Sequence, residues 1–489
     1  MRLSASDIHA YYQPDQCDLR LYLRSKGIEE SEAGPFELVL RKLGLRHERD
    51  HLAALGEHID LSEGSTADRV AATTAALAAR QPVIYQGVLV GELDGLDLIG
   101  APDFLVRSDD GYVIRDSKIA RRITEKDHPE IMLQLQLYRH LFDASCDLPL
   151  RGLEVHSGTG EIVGLEPGDP EKLRRVLARI AVLKSGSEEP VAAVQWTKCA
   201  SCSFTRHCWD PAVSRHDVAV VPGVQQKMAL ALREAGVLAV EDLLQRFDEA
   251  TLAEFRFPFG NTMRRVGKTA GGVLVLARAI AENKEIVLQP PSLPHHQNYV
   301  MLDLEGLPPQ LDELEKIYLW GMQVYGERPS EFRPAVAGFG WDGDREGWEM
   351  FLDVCEALFA DYGDDIPFVH WATYEKTFLT KYVERFGDRD GIAARVGGNC
   401  LDLLPITRAS VALPLPSYSL KVVEKHVGFT RTLAEGKGDW SIARFIEATE
   451  TDDEAERATI MKEILAYNAE DLAATWAVLV WLGSRRPVL

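Results

Sequence analysis

The strongest break in this sequence is a proline-rich segment at residues 289–296, Gln-Pro-Pro-Ser-Leu-Pro-His-His. Proline lacks the backbone N–H donor and fixes φ, so a segment with this composition continues neither a helix nor a central strand. The chain has 489 residues, which is also too many for a single hydrophobic core. The segment therefore predicts separate domains on its two sides.

The spacing of apolar residues predicts three domains. Residues 1–215 mix helical and strand-like patterns, residues 216–288 have an all-helical pattern, and residues 289–489 alternate strand and helix signals. We therefore expect a multidomain α/β protein with a small helical domain in the middle.

The charge of the chain argues against a broad nucleic-acid-binding surface. The net charge is -21, and residues 286–489 alone hold 33 acidic and 19 basic residues, whereas residues 216–285 hold nine of each. The N-terminus has no apolar signal segment, and no apolar run is long enough to span a membrane. We expect a soluble, cytoplasmic protein without membrane contact.

Three of the seven cysteines lie within ten residues, as Cys199-x2-Cys202-x5-Cys208. This spacing lets the thiolates bind one metal centre, and Cys17 is the best candidate for a fourth ligand. A zinc site that uses Cys17 or His207 and an iron–sulfur cluster are both compatible with the spacing.

A first set of acidic residues follows the cysteine at position 17. Asp116 and Lys118 lie two residues apart on a predicted strand, so both side chains point to one face, and Asp103 lies on the neighbouring strand. Two carboxylates bind a divalent cation, while the lysine supplies positive charge to a phosphoryl transition state. The alternative is an ordinary surface salt bridge between Asp116 and Lys118.

Pro102-Asp103, Asp116-x-Lys118, His47 and Gln134-x3-Tyr138, with one cysteine before and three after them, resemble the RecB-family nucleases of the PD-(D/E)xK superfamily. The resemblance implies a restriction-endonuclease-like fold over residues 1–215. It implies metal binding by His47, Asp103 and Asp116, and a catalytic role for Lys118. It also implies DNA contact or a bracing role for Gln134 and Tyr138. By the same resemblance, a [4Fe–4S] cluster is bound by four cysteines, which are Cys17, Cys199, Cys202 and Cys208.

The middle segment contains two glycine turns between helical patterns. Val221-Pro-Gly223-Val resembles the turn of a helix-hairpin-helix motif, whose backbone N–H groups approach a phosphate, and Arg264-Arg265-Val-Gly267-Lys268 resembles a second one. Gly267-Lys268-Thr269 is not a P-loop, because position 262 is threonine where that motif requires glycine. The alternative is a helical linker domain that only packs.

A second set of acidic residues begins at the end of an apolar strand, Tyr299-Val-Met-Leu-Asp303-Leu-Glu305. Asp303 and Glu305 share one face of the strand, and two such carboxylates repel each other unless a cation lies between them. Tyr467 and Asp471 lie one helical turn apart near the C-terminus, and Glu375 lies early in an intervening helix. The alternative is that these carboxylates are solvated ends of strands and helices.

Asp-x-Glu on a first strand with Tyr-x3-Asp on the last helix resembles the RNase H-like DEDD 3′–5′ exonucleases. The resemblance implies that Asp303, Glu305 and Asp471 hold two Mg²⁺ or Mn²⁺ ions and that Tyr467 orients the attacking water. It also implies that Glu375 belongs to the catalytic site. That family usually has aspartate where this chain has Glu375, which puts the position of the second ion in doubt.

The combination of domains resembles a group of bacterial RecB-family nucleases, whose longer relatives carry a helicase that this chain lacks. It implies a metal-dependent nuclease that acts on single-stranded DNA or DNA ends, with RNA as a further substrate, in DNA repair or processing. The competing hypothesis is a nucleic-acid-binding scaffold with one or both nuclease centres inactive, which supports a separate helicase.

Overall fold

The computed structural model describes residues 2–13, 16–32, 34–200, 202–260, 262–307, 315–338, 340–432 and 440–485. The chain divides into two compact units. The first comprises residues 1–33, 37–192 and 201–204, and the second comprises residues 34–36, 193–200 and 205–489. The domain boundaries after residues 215 and 288 stay predictions.

The first unit consists of helices and mixed strands. Its helices are α1 (Ala5–Tyr12), α2 (Asp18–Ser25), α3 (Pro35–Leu55), α4 (Thr66–Ala78), α5 (Pro129–Ser145) and α6 (Pro170–Ser185). Its strands are β1 (Arg2–Ser4), β2 (Ile59–Asp60), β3 (Val83–Tyr85), β4 (Leu89–Leu93), β5 (Leu96–Gly100), β6 (Phe104–Ser108), β7 (Gly111–Ser117), β8 (Leu150–His156) and β9 (Ile162–Leu165).

A six-stranded sheet in the order β2-β3-β6-β7-β8-β9 forms the centre of the first unit. Strands β6 and β7 are antiparallel, and β7 and β8 are parallel. The apolar face of α5 packs on this sheet, with Leu137, Leu141 and Phe142 fully buried. Because successive side chains of a strand alternate between faces, the same sheet presents polar residues at the carboxyl end of β7.

The second unit begins with a mainly helical segment. Its elements are α7 (Trp196–Cys199), α8 (Thr205–Ser214), α9 (Gln226–Glu234), α10 (Val240–Arg246), α11 (Glu249–Glu254), β10 (Arg256–Phe259), β11 (Thr262–Arg265), α12 (Ala270–Glu282) and β12 (Ile286–Val287), with 3-10 turns at Val218–Val220 and Gly267–Thr269. An apolar cluster that includes Met228, Leu232 and Val273 holds the helices together.

The expectation that residues 216–288 are all helical is wrong at β10 and β11, which pair as an antiparallel hairpin. The sequence contains a signal for it, because the Gly260-Asn261 dipeptide is typical of a two-residue hairpin turn. The alternation of Phe257 and Phe259 is a strand pattern as well. In the structure Phe257 is buried in the apolar cluster and anchors the hairpin.

The rest of the second unit is an α/β fold. Its strands are β13 (Asn298–Leu307), β14 (Lys316–Gly326), β15 (Arg333–Val336), β16 (Phe368–His370), β17 (Cys400–Asp402) and β18 (Val411–Ala412). Its helices are α13 (Gly340–Tyr362), α14 (Tyr374–Phe386), α15 (Ile392–Asn399), α16 (Leu403–Ser410), α17 (Leu420–His426), α18 (Trp440–Glu450) and α19 (Glu454–Gly483), with a 3-10 turn at Arg389–Gly391.

A five-stranded sheet in the order β15-β14-β13-β16-β17 organises this fold. Strand β13 lies at its centre, antiparallel to β14 and parallel to β16. Val300, Leu302 and Leu304 of β13 point into one apolar cluster, whereas Met301 points to the opposite face and packs near Leu472 of α19. Asp303 and Glu305 share the face of Met301, since residues two apart point the same way.

Within the part of the chain that the structure describes, no helix has the length and apolar character to cross a membrane.

Candidate functional sites

Two neighbouring strands bring the carboxylates of Asp103 and Asp116 together. Asp103 directly precedes β6, and Asp116 lies in β7. The main-chain N–H of Asp103 donates to Asp116 Oδ1 at 3.1 Å, and the N–H of Ser117 donates to Asp103 Oδ2 at 2.8 Å. Each carboxylate is therefore held by a backbone N–H group from the neighbouring segment.

Lys118 completes this first acidic site. Its Nζ lies 2.9 Å from Asp116 Oδ2, and the Asp116 side chain is 0% exposed, so the pair is not the surface salt bridge that the sequence left open. Burial opposes the charge of Lys118, but Asp116 and Asp103 raise its pKa above the ordinary value, so the ammonium group keeps its proton. Burial and then the charge of Asp116 raise the pKa of Asp103 to about 8. Two neighbouring carboxylates repel each other when both are ionised, and a divalent cation bound between them compensates this repulsion. The pair is therefore suited to binding such a cation.

Helix α5 supports Asp116 from the side. Gln134 Nε2 donates to Asp116 Oδ2 at 2.7 Å and to Tyr138 Oη at 2.9 Å. Tyr138 Oη donates in turn to the carbonyl oxygen of Ala101 at 3.1 Å. The tyrosine ring lies so close to Gly100 that a Cβ there would come within 2.6 Å of it. The structure thus places Gln134 and Tyr138 as a brace of Asp116.

A third carboxylate at this site, Glu48 of α3, was not among the residues predicted from the sequence. Gln86 Nε2 donates to Glu48 Oε1 at 2.8 Å and to Asp103 Oδ1 at 3.0 Å, and Tyr85 Oη also donates to Glu48 Oε1 at 2.8 Å. Gln86 adopts a positive φ of 54°, which is rare outside glycine and directs its amide to both acids. Glu48 contributes to the raised pKa of Asp103. The available signal was its position beside His47 on the same helix.

His47, the expected metal ligand from α3, points elsewhere. Its ring stacks on His156 with centroids 4.1 Å apart, and its Nε2 lies 3.3 Å from the carbonyl oxygen of His156. His51 stacks on the opposite side of His156, with a centroid distance of 3.9 Å. Burial lowers the pKa of His51 and of His156 to about 4, so both rings are neutral near physiological pH. Metal binding by His47 stays a prediction.

Exchange of Glu48 and of His47 distinguishes these two ligand candidates. We expect Glu48→Gln to weaken binding of Mn²⁺ at the first site about tenfold, because groups that orient metal ligands contribute factors of this size. His47→Gln should leave the affinity nearly unchanged. Isothermal titration with Asp303→Asn present in both proteins, to weaken the second acidic site, measures the effect. If His47→Gln weakened Mn²⁺ binding and Glu48→Gln left it nearly unchanged, His47 would be the ligand.

The second acidic site lies where β13 meets α19. Ligand oxygens of Asp303, Glu305 and Asp471 lie within 4.8 Å of one another, and among the described residues this is the one group of three or more Asp, Glu, His or Cys ligands that is so compact. Burial and the charges of Asp471 and Glu305 raise the pKa of Asp303 well above its ordinary value. Burial and the charge of Asp471 raise the pKa of Glu305 to about 7. Three carboxylates in this state fit divalent cations, which prefer oxygen ligands.

Two side chains, from helices α18 and α19, orient these carboxylates. Asn468 Nδ2 of α19 donates to Asp303 Oδ2 at 2.7 Å, and Ser441 Oγ of α18 donates to Glu305 Oε2 at 2.7 Å. Asn468 is fully buried against Gly321 of β14, the residue that pairs with Asp303 across the strands. A Cβ at position 321 would lie 1.7 Å from Asn468 Oδ1, so only glycine leaves room for this asparagine.

Two cations of the chain itself adjoin the second site, and the sequence patterns did not identify them as part of it. Arg431 donates two hydrogen bonds to Glu424 at 2.7 and 2.8 Å and one to Asp471 Oδ1 at 2.5 Å. Lys421 Nζ donates to Tyr467 Oη at 2.5 Å. Burial, together with the charges of Asp471 and Glu305, raises the pKa of Tyr467, so the hydroxyl keeps its own proton. The Tyr467 hydroxyl can therefore donate a hydrogen bond to a water molecule or to a phosphate oxygen.

Glu375 lies outside the compact group. Its carboxylate is 3.1 Å from His370 Nδ1, and both side chains are almost fully buried at 4% and 1% exposure. Its charge still contributes to the raised pKa of Asp303, so the carboxylate is near the group.

The raised pKa values predict that cation binding at the second site releases protons. Near neutral pH the cluster holds protons that a divalent cation must displace, so the affinity for Mg²⁺ or Mn²⁺ should increase as the pH rises through about 7, the pKa of Glu305. In the metal-free chain, the contribution of these carboxyl groups to the free energy of unfolding has the opposite pH dependence: it decreases as the pH rises. The stabilisation from these protonated carboxyls is complete below their unfolded-state pKa and is lost as the pH rises through the folded-state pKa.

Titration of the protein with Mn²⁺ in buffers of different ionisation enthalpy tests this prediction. With Asp116→Asn present to weaken the first site, the observed heat at neutral pH should depend on the buffer, and this dependence should decrease as the pH rises above the pKa of Glu305. Buffer-independent heats at neutral pH would show that the carboxylates are already ionised.

The predicted nucleic-acid-binding residues of the middle segment lie at turns. Gly223 has a φ of +95° and connects the 3-10 turn Val218–Val220 to α9. Gly267, with a φ of +64°, follows β11, and the exposed Lys268 is next to it. The first predicted hairpin therefore has a 3-10 turn, and the second has a β-strand, where the motif has a helix. Phosphate binding by these residues stays a prediction.

The four cysteines of the predicted cluster are divided between the two units. Cys17 and Cys202 lie in the first unit, where burial and then the neighbouring Cys202 raise the pKa of the Cys17 thiol against opposing backbone hydrogen bonds. Cys199 and Cys208 lie in the second unit and pack against one apolar cluster. Thiol donors at this spacing suit iron–sulfur or zinc, and the four-cysteine site stays a prediction.

Comparison with known proteins assigns both acidic sites to nuclease-type domains. A family model of the PD-(D/E)XK nuclease superfamily matches residues 4–209, and a model of the RNase H superfamily matches residues 300–483. No curated protein matches the chain. One solved structure, described as "Crystal structure of SSO0001", is 15% identical with a TM-score of 0.23, and the match covers 42% of this chain and 85% of that chain. A likeness of that size carries no argument. The two family matches indicate a metal-dependent nuclease.

Proposed function

We propose that this chain, which combines a PD-(D/E)XK nuclease superfamily domain with an RNase H superfamily domain, hydrolyses the phosphodiester bonds of DNA at two separate acidic sites. The observation that carries the proposal is the compact group of Asp303, Glu305 and Asp471. One of the three mutually repelling carboxylates is buried and two are half-buried, which is costly for a fold, and a divalent cation is the partner that offsets this cost.

At the first site, Asp103 and Asp116 would hold the cation, with Glu48 nearby. The cation would polarise the scissile phosphate and lower the pKa of the attacking water. Lys118 keeps its proton and lies beside Asp116, so its ammonium group can stabilise the charge that develops on the phosphate oxygens. Gln134 keeps Asp116 in place throughout.

At the second site, Asp303, Glu305 and Asp471 would hold the cations. Tyr467 accepts a hydrogen bond from Lys421 and retains its own proton, so its hydroxyl can orient a water molecule for attack on the last phosphodiester of a strand. We assign this site a 3′–5′ exonuclease activity, and the first site the RecB-like cleavage of DNA. The four cysteines would carry a [4Fe–4S] cluster.

A second candidate function is nucleic-acid binding with an inactive second centre, in support of a separate helicase. The observation in its favour is that the RNase H-like site holds internal ion pairs: Asp471 contacts Arg431, and Glu375 contacts His370. Under this hypothesis the contacts of Asp471 with Arg431 and of Glu375 with His370 take the place of bound divalent cations.

Labelled single-stranded DNA, duplex DNA and RNA, incubated with Mg²⁺ or Mn²⁺, test both functions. We expect cleavage that EDTA abolishes. Asp116→Asn should remove one product pattern, Asp303→Asn the other, and the double variant both. Activity that is lost with Asp116→Asn and unaffected by Asp303→Asn would support the inactive second centre. A wild-type protein that cleaves none of the substrates with either cation would refute the nuclease proposal.

A further inference from the structure

The hairpin formed by β10 and β11 is a positively charged segment of an otherwise acidic chain. Residues 255–268 contain four basic residues and no acidic one, although the whole chain has a net charge of -21. The basic residues are Arg256, Arg264, Arg265 and Lys268, and all four are exposed. A surface of this kind attracts polyanions.

Pairing within the hairpin places like charges opposite each other. Arg256 and Arg265 are direct cross-strand partners, an arrangement that destabilises a hairpin unless an anion lies nearby. Arg265 reaches Glu254 at 3.0 Å, a pair exposed on both sides. Arg256, Arg264 and Lys268 have no carboxylate partner among the residues described. Three cations are therefore left for an external anion.

The hairpin also exposes large apolar side chains beside these cations. Phe259 is 49% exposed and Met263 is 55% exposed, near the turn. The guanidinium of Arg264 lies over the Phe259 ring, 5.1 Å from its centroid. Phe257, in contrast, is buried and ties the base of the hairpin to the helices. The anchored base fixes an aromatic ring and cations at the surface, where both can contact a ligand.

We propose that the β10–β11 hairpin binds single-stranded nucleic acid, with Phe259 stacked on a base and Arg264, on the same face, at the adjoining phosphate. Arg256 lies on the opposite face and would bind a further phosphate where the strand passes the edge of the hairpin. The proposal deepens the proposed nuclease function, on which it rests, by assigning it a substrate-binding element. Single strands are favoured over duplexes because the bases of a duplex already stack on each other, so an exposed aromatic ring finds no free base face. Phosphate contacts alone would not need Phe259.

Binding of a labelled single-stranded DNA oligonucleotide, followed by fluorescence anisotropy in EDTA to prevent cleavage, tests the proposal on the full chain. We expect Arg256→Gln/Arg264→Gln to weaken binding about tenfold, and to reduce the slope of log affinity against log salt concentration by about 1.4, or about 0.7 for each lost phosphate contact. We expect Phe259→Ala to weaken single-strand binding at least fivefold, with little change for a blunt duplex, because stacking contributes about 1 kcal/mol or more per base.

The matched control is Arg278→Gln/Lys284→Gln, which removes the same charge from exposed positions on α12 and directly after it. This variant should bind as the wild type does. Equal weakening by the two double variants would show a general charge effect and overturn the proposal, and so would an unchanged preference for single strands in Phe259→Ala.

The two proposals fail in different ways. Wild-type cleavage together with wild-type binding by the hairpin variants overturns only the role of the hairpin. Absence of cleavage by the wild-type protein overturns the nuclease function, whatever the binding data show. Preferential binding to anionic vesicles or to an acidic protein, with no affinity for oligonucleotides, would also overturn the proposal. Because the exchanged side chains are exposed, the variants should keep the wild-type circular dichroism spectrum and Tm.

Discussion

Lys118→Met should lower the cleavage rate of the first site about 1,000-fold, since removal of a single charge that stabilises a developing oxyanion has effects of 100- to 1,000-fold. The site is already arranged around this ammonium group, which lies 2.9 Å from Asp116 Oδ2. Its removal also takes away a positive charge that lies against the carboxylates of this site. Binding of the divalent cation should therefore stay the same or become tighter.

Single-turnover cleavage with Asp303→Asn present in all proteins, combined with Mn²⁺ titration, separates these two effects. The matched control is Lys184→Met, which breaks an ion pair of similar exposure with Asp7, 2.7 Å long, in the same unit. The control should cleave as the wild type does. A Lys118→Met protein that loses cation affinity and rate together would identify the lysine as a structural element only.

Gly321→Ala should lower the activity of the second site about 100-fold, because displacement of a ligand by about 1 Å has effects of this size. The new Cβ would lie 1.7 Å from Asn468 Oδ1 and would force this buried asparagine away. Asp303 then loses the hydrogen bond of 2.7 Å from Asn468 Nδ2. Gly321 therefore affects the proposed metal ligand Asp303 through Asn468.

A double-mutant cycle with Asn468→Ala, in the Asp116→Asn background, tests this path. Asn468→Ala alone removes the hydrogen bond, so addition of Gly321→Ala to it should cause little further loss. Gly398→Ala is the control, since a Cβ at position 398 meets nothing within 4 Å. Additive losses in the cycle would mean that Gly321 affects the site by another route.

The parts of both sites that follow from strand and helix periodicity could be read from the sequence. Asp303 and Glu305 are two residues apart on a strand, and Tyr467 and Asp471 are four apart on a helix, so local geometry alone places each pair on one face. The same reasoning places Asp116 and Lys118 together.

Residues that join the sites over long sequence distances could not be found in this way. Glu48 reaches Asp103 through the side chain of Gln86, whose direction depends on a positive φ that no periodicity reveals. Arg431 contacts Asp471 from 40 residues away. Both contacts depend on tertiary packing, and local patterns carry no information about which distant element arrives at a given strand end.

The backbone contacts that link Asp103 and Asp116 have a practical consequence for trapping a substrate. The donors are main-chain N–H groups, and exchange of either aspartate for asparagine preserves an oxygen that can accept the same bond. The geometry of the first acidic site should therefore persist when one of its two aspartates loses its negative charge. Crystals of the Asp103→Asn or Asp116→Asn protein, grown with a nucleic acid, should capture the uncut strand in the position where the wild-type enzyme would cut it.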